Sequence, residues 1–236
     1  MFQKADLEAQ PSPAKPAATV IVLRDGPEGL ETLLLRRNPE LKVMAGAWVF
    51  PGGKVEATDP GEDSLECARA GALRELSEET GLCPALEGLI HFSRWLTPEV
   101  VKHRFDTYFF VAVHPKDKGV TVDGSEIVDH RWVRPGDAVA EQAAGDLKLP
   151  PPTLVSLCDL AEHDSVDAVL ATVRDREPPY FFPRIVEHGD DHVFLYPGDA
   201  GYEVGDVALD SPCHRTVMHK GRFTYHRNFS WPPRPR

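Results

Sequence analysis

The sequence predicts an α/β protein, and three features carry that expectation. Short β-branched and aromatic segments recur between residues 18 and 133, one strongly periodic helical stretch interrupts them near residues 64 to 80, and helical then strand-like segments follow beyond residue 150. The 236 residues amount to about one and a half typical domains, so one enlarged domain or one domain with an appendage is expected. Hydrophobic residues at 42% and charged residues at 27% lie near globular averages and exclude a disordered polymer.

Taken in order, residues 1–17 hold Asp6, Glu8, Pro11, Pro13 and Pro16 and no arginine. They lack the apolar stretch of a secretory signal and the composition of a transit peptide, so a disordered tail on a cytoplasmic protein is expected there. Ala18 to Leu23 and Glu31 to Arg37, joined through Asp25-Gly26-Pro27, read as a β-hairpin. Trp48 to Phe50 is a third extended piece ending at Pro51-Gly52-Gly53, where glycine allows close approach of other groups to the backbone. From Ser64, the expected cap, Leu65, Ala68, Ala72, Leu73 and Leu76 recur at helical spacing up to a stop at Gly81. Strands are expected at Leu89 to Trp95, Phe105 to Val113, Val120 to Val122 and Val128 to Val133, and a helix after Pro135. Leu154 to Leu160 and Val166 to Arg174 read as helices, and Tyr180 to Val186 and His192 to Tyr196 as strands.

No apolar run reaches the roughly 20 residues that cross a bilayer, which argues against a membrane protein. Cys67, Cys83, Cys158 and Cys213 form no C-x-x-C pair and are expected to be reduced. A net charge of −11 opposes binding to a nucleic-acid backbone. It leaves a small phosphorylated substrate open, because divalent cations invert the local field at a carboxylate-rich site.

Such a site is visible on the central helix. Successive residues advance by about 100°, so Glu75, Glu78 and Glu79 share one face. Like charges at those spacings destabilise a helix by a few tenths of a kcal/mol per pair, so the arrangement calls for a cation or for free solvation. Oxygen ligands on a rigid element suit Mg²⁺ or Mn²⁺, whereas zinc prefers histidine or cysteine.

The segment Arg74-Glu75-Leu76-Ser77-Glu78-Glu79-Thr80-Gly81-Leu82 resembles the core of the Nudix box, R-E-U-x-E-E-x-G-U with U aliphatic. The upstream glutamate of that box stands eight residues before its arginine, the spacing of Glu66 from Arg74. The family places five residues between the loop glycine and this glutamate. Twelve separate Gly53 from Glu66 here, so seven extra residues are expected as a turn within Glu56 to Asp63.

The resemblance implies an αβα sandwich on a mixed central sheet, with a core at 18–150 and a C-terminal extension at 151–236. It also implies an enzyme that hydrolyses diphosphate linkages with Mg²⁺ or Mn²⁺. Glu75, Glu78 and Glu79 are then metal ligands, with Gly53 as a further one through its carbonyl. Glu66 and Arg74 form a structural ion pair, and Glu126 is an added acid. Glu78, Glu79 and Glu126 make up the catalytic set, in which Glu79 and Glu126 both stand as the general base.

Leu33, Leu34, Arg37, Leu41, Gly46 and Phe50 to Gly53 resemble the signature of coenzyme A diphosphatases within the Nudix family, although Leu35, Asn38, Met44 and Trp48 depart from it. Further likeness lies in Trp95 to Glu99, Arg104 to Phe110 and Tyr196 to Asp199. These imply coenzyme A or acyl-coenzyme A as substrate, with adenosine 3′,5′-bisphosphate and 4′-phosphopantetheine as products. ADP-ribose or another nucleoside diphosphate derivative is the alternative, and a binding protein without catalysis is the third reading. Arg36, Arg37, Lys42, Arg104 and Lys54 are candidate phosphate partners, and Trp48 and Phe105 candidate platforms for adenine. His214, His219, His226 and Cys213 match no zinc spacing. Beyond a small-molecule diphosphate, a second copy of the chain is the partner left open.

Overall fold

The computed structural model describes residues 12–115, 118–122 and 124–232. Strands β1 (Lys15–Gly26) and β2 (Gly29–Arg37) form the expected hairpin. They pair only near its turn, from Leu23↔Thr32 to Gly26↔Gly29. Farther out each takes another partner. β3 (Trp48–Val49) pairs with β2, and β4 (Gly52–Lys54) pairs with β1. The link Phe50-Pro51 therefore lies in the wedge between the hairpin strands, where the Pro51 carbonyl accepts from the Val20 N–H at 2.8 Å.

Helix α1 (Ser64–Thr80) follows. Its cap is Asp63 rather than Ser64: the Asp63 carboxylate accepts from the Leu65 and Glu66 N–H groups, a contact worth about 1 kcal/mol. Gly81 ends the helix in the left-handed conformation, φ 71°, donating to the Ser77 carbonyl. Strands β5 (Ile90–Leu96), β6 (Phe105–Val113) and β7 (Ile127–Val133) complete most of the sheet. β1 and β6 run parallel while the hairpin and β5–β6 are antiparallel, so the sheet is mixed. The alternation along β1 and β2 sends Val20, Val22, Leu33 and Leu35 toward α1 and Ile21, Leu23 and Leu34 toward the opposite core.

That second core is covered by α2 (Pro135–Ala144), α3 (Pro151–Leu160), α4 (Val166–Asp175) and a four-stranded antiparallel sheet. The expected strand Tyr180 to Val186 is divided. β8 (Tyr180–Phe181) pairs with β5, and β9 (Arg184–His188) opens the second sheet after Pro183, which has no N–H to donate. β10 (Asp191–Leu195), β11 (His214–His219) and β12 (Arg222–Arg227) extend it. Trp95 and Phe181 stack at 4.0 Å where the two sheets approach, with Tyr196 edge-on to both.

Two boundaries differ from expectation. The first strand starts at Lys15, inside the expected tail, and residues 120–122 form no strand. Val120 and Val122 instead pack on the core beside α1, and the Thr121 N–H binds the Thr80 carbonyl. Residues 1–11 of the expected tail, and residues 233–236, lie outside the described residues. No described helix is long and apolar enough to cross a membrane.

Candidate active site

α1 buries Ala68, Ala72 and Leu76 against the sheet, so Glu75, Glu78 and Glu79 emerge beside the wedge where β4 begins. Glu79 is largely buried, and its Oε2 accepts from the Gly52 N–H at 2.8 Å. Glu75 lies directly against Gly53. A Cβ at residue 53 would stand 2.4 Å from the Glu75 carboxyl carbon, so any larger residue drives the carboxylate away. Burial, with added like charge from Glu78 and Glu126, holds the Glu75 carboxyl above the usual carboxylate range despite the neighbouring Arg74.

Arg74 organises this face, and its partner corrects the expected ion pair. Glu66 does not meet Arg74. The Glu66 carboxylate turns back to accept from the Glu62 N–H at 2.8 Å. Arg74 is gripped instead by Asp59, with Nε to Oδ1 at 2.9 Å and Nη2 to Oδ2 at 3.1 Å. Asp59 follows Gly53 with five residues between them, the spacing the box assigns to its loop acid. The seven extra residues therefore lie between this acid and Arg74, in the turn and the first turns of α1, rather than ahead of the acid. Hydrogen bonds from Arg74 and from the Glu56 N–H hold the Asp59 carboxyl below the usual range, against the effect of burial. The remaining Arg74 donors reach the Lys54 carbonyl at 2.9 Å, Glu75 Oε1 at 3.1 Å and Glu78 Oε2 at 3.2 Å. All five guanidinium N–H groups are thus used.

Glu126 approaches the same face from the turn before β7. Its charge acts on Glu75, and its carboxylate stands 4.0 Å from Arg37 Nη1. Asn38, which carried no functional signal in the sequence, laces this turn to the end of β2. Its N–H donates to the Glu126 carbonyl at 2.8 Å and its Nδ2 to the Ser125 carbonyl at 2.9 Å.

The other candidate cations are distributed elsewhere. Arg36 pairs across strands with Trp48, a residue packed on the core opposite α1. Arg104 donates to the Thr97 and Ser12 carbonyls at 3.1 Å each. Lys42 is exposed in the loop after β2, Lys54 ends β4, and Phe105 begins β6 opposite Lys15. The structure therefore brings Arg37 and Glu126 to the glutamate face and ties Arg104 to backbone carbonyls.

The donor types suit a hard cation: Glu75, Glu78 and Glu79 offer carboxylate oxygens from one helix, the charge of Glu126 reaches Glu75, and Gly53 leaves the Glu75 oxygens close to the β4 backbone. Among the described residues no three acidic, histidine or cysteine side chains stand together closely enough to hold a metal ion in this arrangement. Arg74 holds Glu75 and Glu78, and the Gly52 N–H holds Glu79. In the C-terminal sheet His214 is buried with Nδ1 donating to the Pro197 carbonyl at 2.7 Å, and His219 pairs with Asp191 at 2.5 Å.

Residues 13–151 match a family described as the NUDIX domain. The chain is 27% identical over 167 residues to putative nudix hydrolase 7 of Caenorhabditis elegans, covering 55% of each chain. It is 30% identical over 160 residues to the human acyl-coenzyme A diphosphatase NUDT19, covering 61% of this chain and 43% of that one. It is also 30% identical over 188 residues to putative 8-oxo-dGTP diphosphatase 3 of Mycobacterium tuberculosis strain H37Rv, covering 78% of each. The chain spans about half the length of the first two of these relatives. A crystal structure of a NUDIX hydrolase from Alicyclobacillus acidocaldarius shares the fold with a TM-score of 0.62 at 22% identity, covering 68% of this chain and 96% of that one.

Proposed function

The chain belongs to the Nudix family, and from that premise we propose that it hydrolyses the diphosphate linkage of a nucleoside diphosphate derivative, with coenzyme A or acyl-coenzyme A as the substrate. The observation that carries the reading is the surplus of acid at one place. Glu75, Glu78, Glu79 and Glu126 gather where Gly53 brings backbone against carboxylate, and Arg74 and Arg37 offset only part of their charge.

Glu75, Glu78 and Glu79, with the Gly53 carbonyl, would hold Mg²⁺ or Mn²⁺. When bound, such ions neutralise the diphosphate and lower the pKa of the attacking water. The chain's own residues do the rest. Arg37 offers its guanidinium to a phosphate oxygen. Glu79 or Glu126 would take the proton as the water oxygen bonds to one phosphorus and the bridging P–O bond breaks. Asn38 fixes the turn that presents Glu126.

The coenzyme A assignment rests on the signature residues from Leu33 to Gly53 and on the relatives named acyl-coenzyme A diphosphatase. A second reading, hydrolysis of an oxidised nucleoside triphosphate, draws on the mycobacterial relative, which matches a larger share of both chains. Incubating the purified chain with Mn²⁺ or Mg²⁺ and coenzyme A, an acyl-coenzyme A, ADP-ribose or 8-oxo-dGTP, then weighing the products, decides between them. Release of 4′-phosphopantetheine is expected. Turnover of 8-oxo-dGTP or ADP-ribose with coenzyme A and its thioester inert replaces the substrate assignment, and no turnover of any of the four removes the hydrolase reading.

A further inference from the structure

Of the four glutamates gathered at the site, Glu126 alone comes from outside α1. The helix holds Glu75, Glu78 and Glu79 in fixed relation to one another. Glu126 must be placed by other means. Its side chain is 63% exposed, and the nearest Arg37 nitrogen stands 4.0 Å away, beyond hydrogen-bond length, so that pair attracts without fixing a position. Where the carboxylate leaves the chain is set by the backbone of its turn, and Asn38 ties that backbone down.

The register between β2 and β7 shifts just ahead of this residue. Arg36 faces Asp129 and Arg37 faces Ile127, which leaves Val128 as the extra residue of a bulge. A bulge interrupts the ladder, and Asn38 restores it. Its N–H donates to the Glu126 carbonyl at 2.8 Å and its Nδ2 to the Ser125 carbonyl at 2.9 Å. Gly124, at φ 77°, closes the turn by donating to the Ile127 carbonyl at 2.9 Å. Asn38 Oδ1 meanwhile accepts from the Glu40 N–H at 3.0 Å, and the Asn38 carbonyl from the Leu41 N–H at 3.1 Å. One residue thus serves two segments: its donors hold the turn of Glu126, and its acceptors hold the loop that leads to β3. That loop has a separate anchor at its far end, where Lys148 Nζ donates to the Ala45 carbonyl at 2.9 Å.

We propose that Asn38 is a positioning residue for the reaction. Its two donors hold the turn so that Glu126 stands at the glutamate face, where its charge already acts on Glu75, and its effect on turnover passes through Glu126 alone. The inference rests on the reading of this face as a hydrolytic site, and it can fail while that reading stands.

The test is a double-mutant cycle on the full-length chain, with kcat and KM measured on the compound it cleaves and thermal unfolding followed for each variant. Asn38→Asp keeps an oxygen for the Glu40 N–H and loses the Nδ2 donor. Asn38→Ala loses both without adding charge, and supplies the answer should the first variant fail to fold. Each is expected to lower kcat about ten- to hundredfold with KM within about twofold of wild type, the scale of a small misplacement of a reacting group. In the Glu126→Gln background each is expected to lower kcat by less than about twofold, because the group they act through is already gone. Lys148→Met, which frees the far anchor of the same loop, is expected to turn over as the wild type does. Folded Asn38 variants with wild-type kcat overturn the proposal, and so do losses that add in full to that of Glu126→Gln, the mark of a merely structural role. A Glu126→Gln protein as active as wild type overturns it too, while the hydrolase reading stands. Should the wild type cleave none of the four compounds, the hydrolase reading falls and the same cycle is read on Mn²⁺ affinity: coupled losses support the placement of Glu126 by Asn38, and additive losses or no binding overturn it.

Discussion

Two regions of this molecule bury charged groups, and they balance them differently. At the wedge beside α1, Asp59, Glu75 and Glu78 share Arg74, Glu126 stands 4.0 Å from Arg37, and Glu79 accepts from the Gly52 N–H, with Glu78 and Glu126 reaching solvent. In the C-terminal part, Asp159 and Glu162 meet Arg176 and Arg227, and Asp199 meets Arg215. Trp231 adds an Nε1–H donation to Asp159 at 2.8 Å, and Arg227 lies over its ring. Charge matched one for one fixes a fold without asking for a ligand. Several carboxylates sharing one arginine, one of them held by burial above its ordinary range, are the pattern expected of a site that takes a cation. The contrast separates a site from a brace among groups that look alike in composition.

The sharpest way to break the contrast is to remove one group from each region. Glu79→Gln retains the volume and the bond from the Gly52 N–H, and is expected to lower the rate of diphosphate hydrolysis on the order of a hundredfold or more with the melting temperature nearly unchanged. Asp159→Ala should do the opposite. It strands Arg176, whose side chain is 4% exposed, and takes from Arg227 one of its two carboxylates while Glu162 remains, and is expected to destabilise the chain by about 3–5 kcal/mol in urea unfolding while the surviving folded enzyme turns over normally. Stability lost in the first variant, or activity lost at full folding in the second, would erase the distinction between the regions.

The same contrast explains what was legible in the sequence. Glu75, Glu78 and Glu79 are readable because helical periodicity alone puts them on one face, and α1 needs no distant partner to define that face. The hairpin was equally plain, since Asp25-Gly26-Pro27 marks its turn between two apolar runs. Asp59 was hidden because two acids stand at two different box spacings, Asp59 from Gly53 and Glu66 from Arg74, and only the path of the intervening loop decides which meets the arginine. Its signal was present in the count of five residues after Gly53. Asn38 had no such signal, because its bonds to the turn at 125–126 join strands distant in sequence. β11 and β12 lack a sequence signal because polar and charged residues such as His214, Arg215, His226 and Arg227 interrupt the apolar pattern; of these, His214, Arg215 and Arg227 turn inward onto partners supplied by other segments, while His226 is exposed.

A smaller and graded test concerns the balanced region alone. His214 is almost wholly buried among Phe181, Tyr196, Tyr225, Phe229 and Trp231. Its Nδ1–H donates to the Pro197 carbonyl, its N–H donates to Asp199, and Arg227 repels a second positive charge there. Burial pushes its pKa down from 6.5 to about 4. The unfolded chain therefore takes up this proton first as pH falls. Stability from the neutral imidazole is complete above about pH 6.5 and lost progressively toward pH 4, by about 1.4 kcal/mol at pH 5.5 and about 3 kcal/mol at pH 4. Asp59 and Asp199, both held below their ordinary range, the latter by Arg215 and N–H donors in spite of burial, lose their contributions only at lower pH; His114, lowered by burial, and Glu75, raised by it, also change between about pH 6.5 and 5, so the difference between wild type and a His214 variant isolates this histidine. Urea unfolding of His214→Phe across that interval is expected to lack this component of the slope. A wild-type protein equally stable at pH 7.5 and 5 would show that the imidazole reaches solvent, and that the C-terminal brace is looser than its matched charges imply.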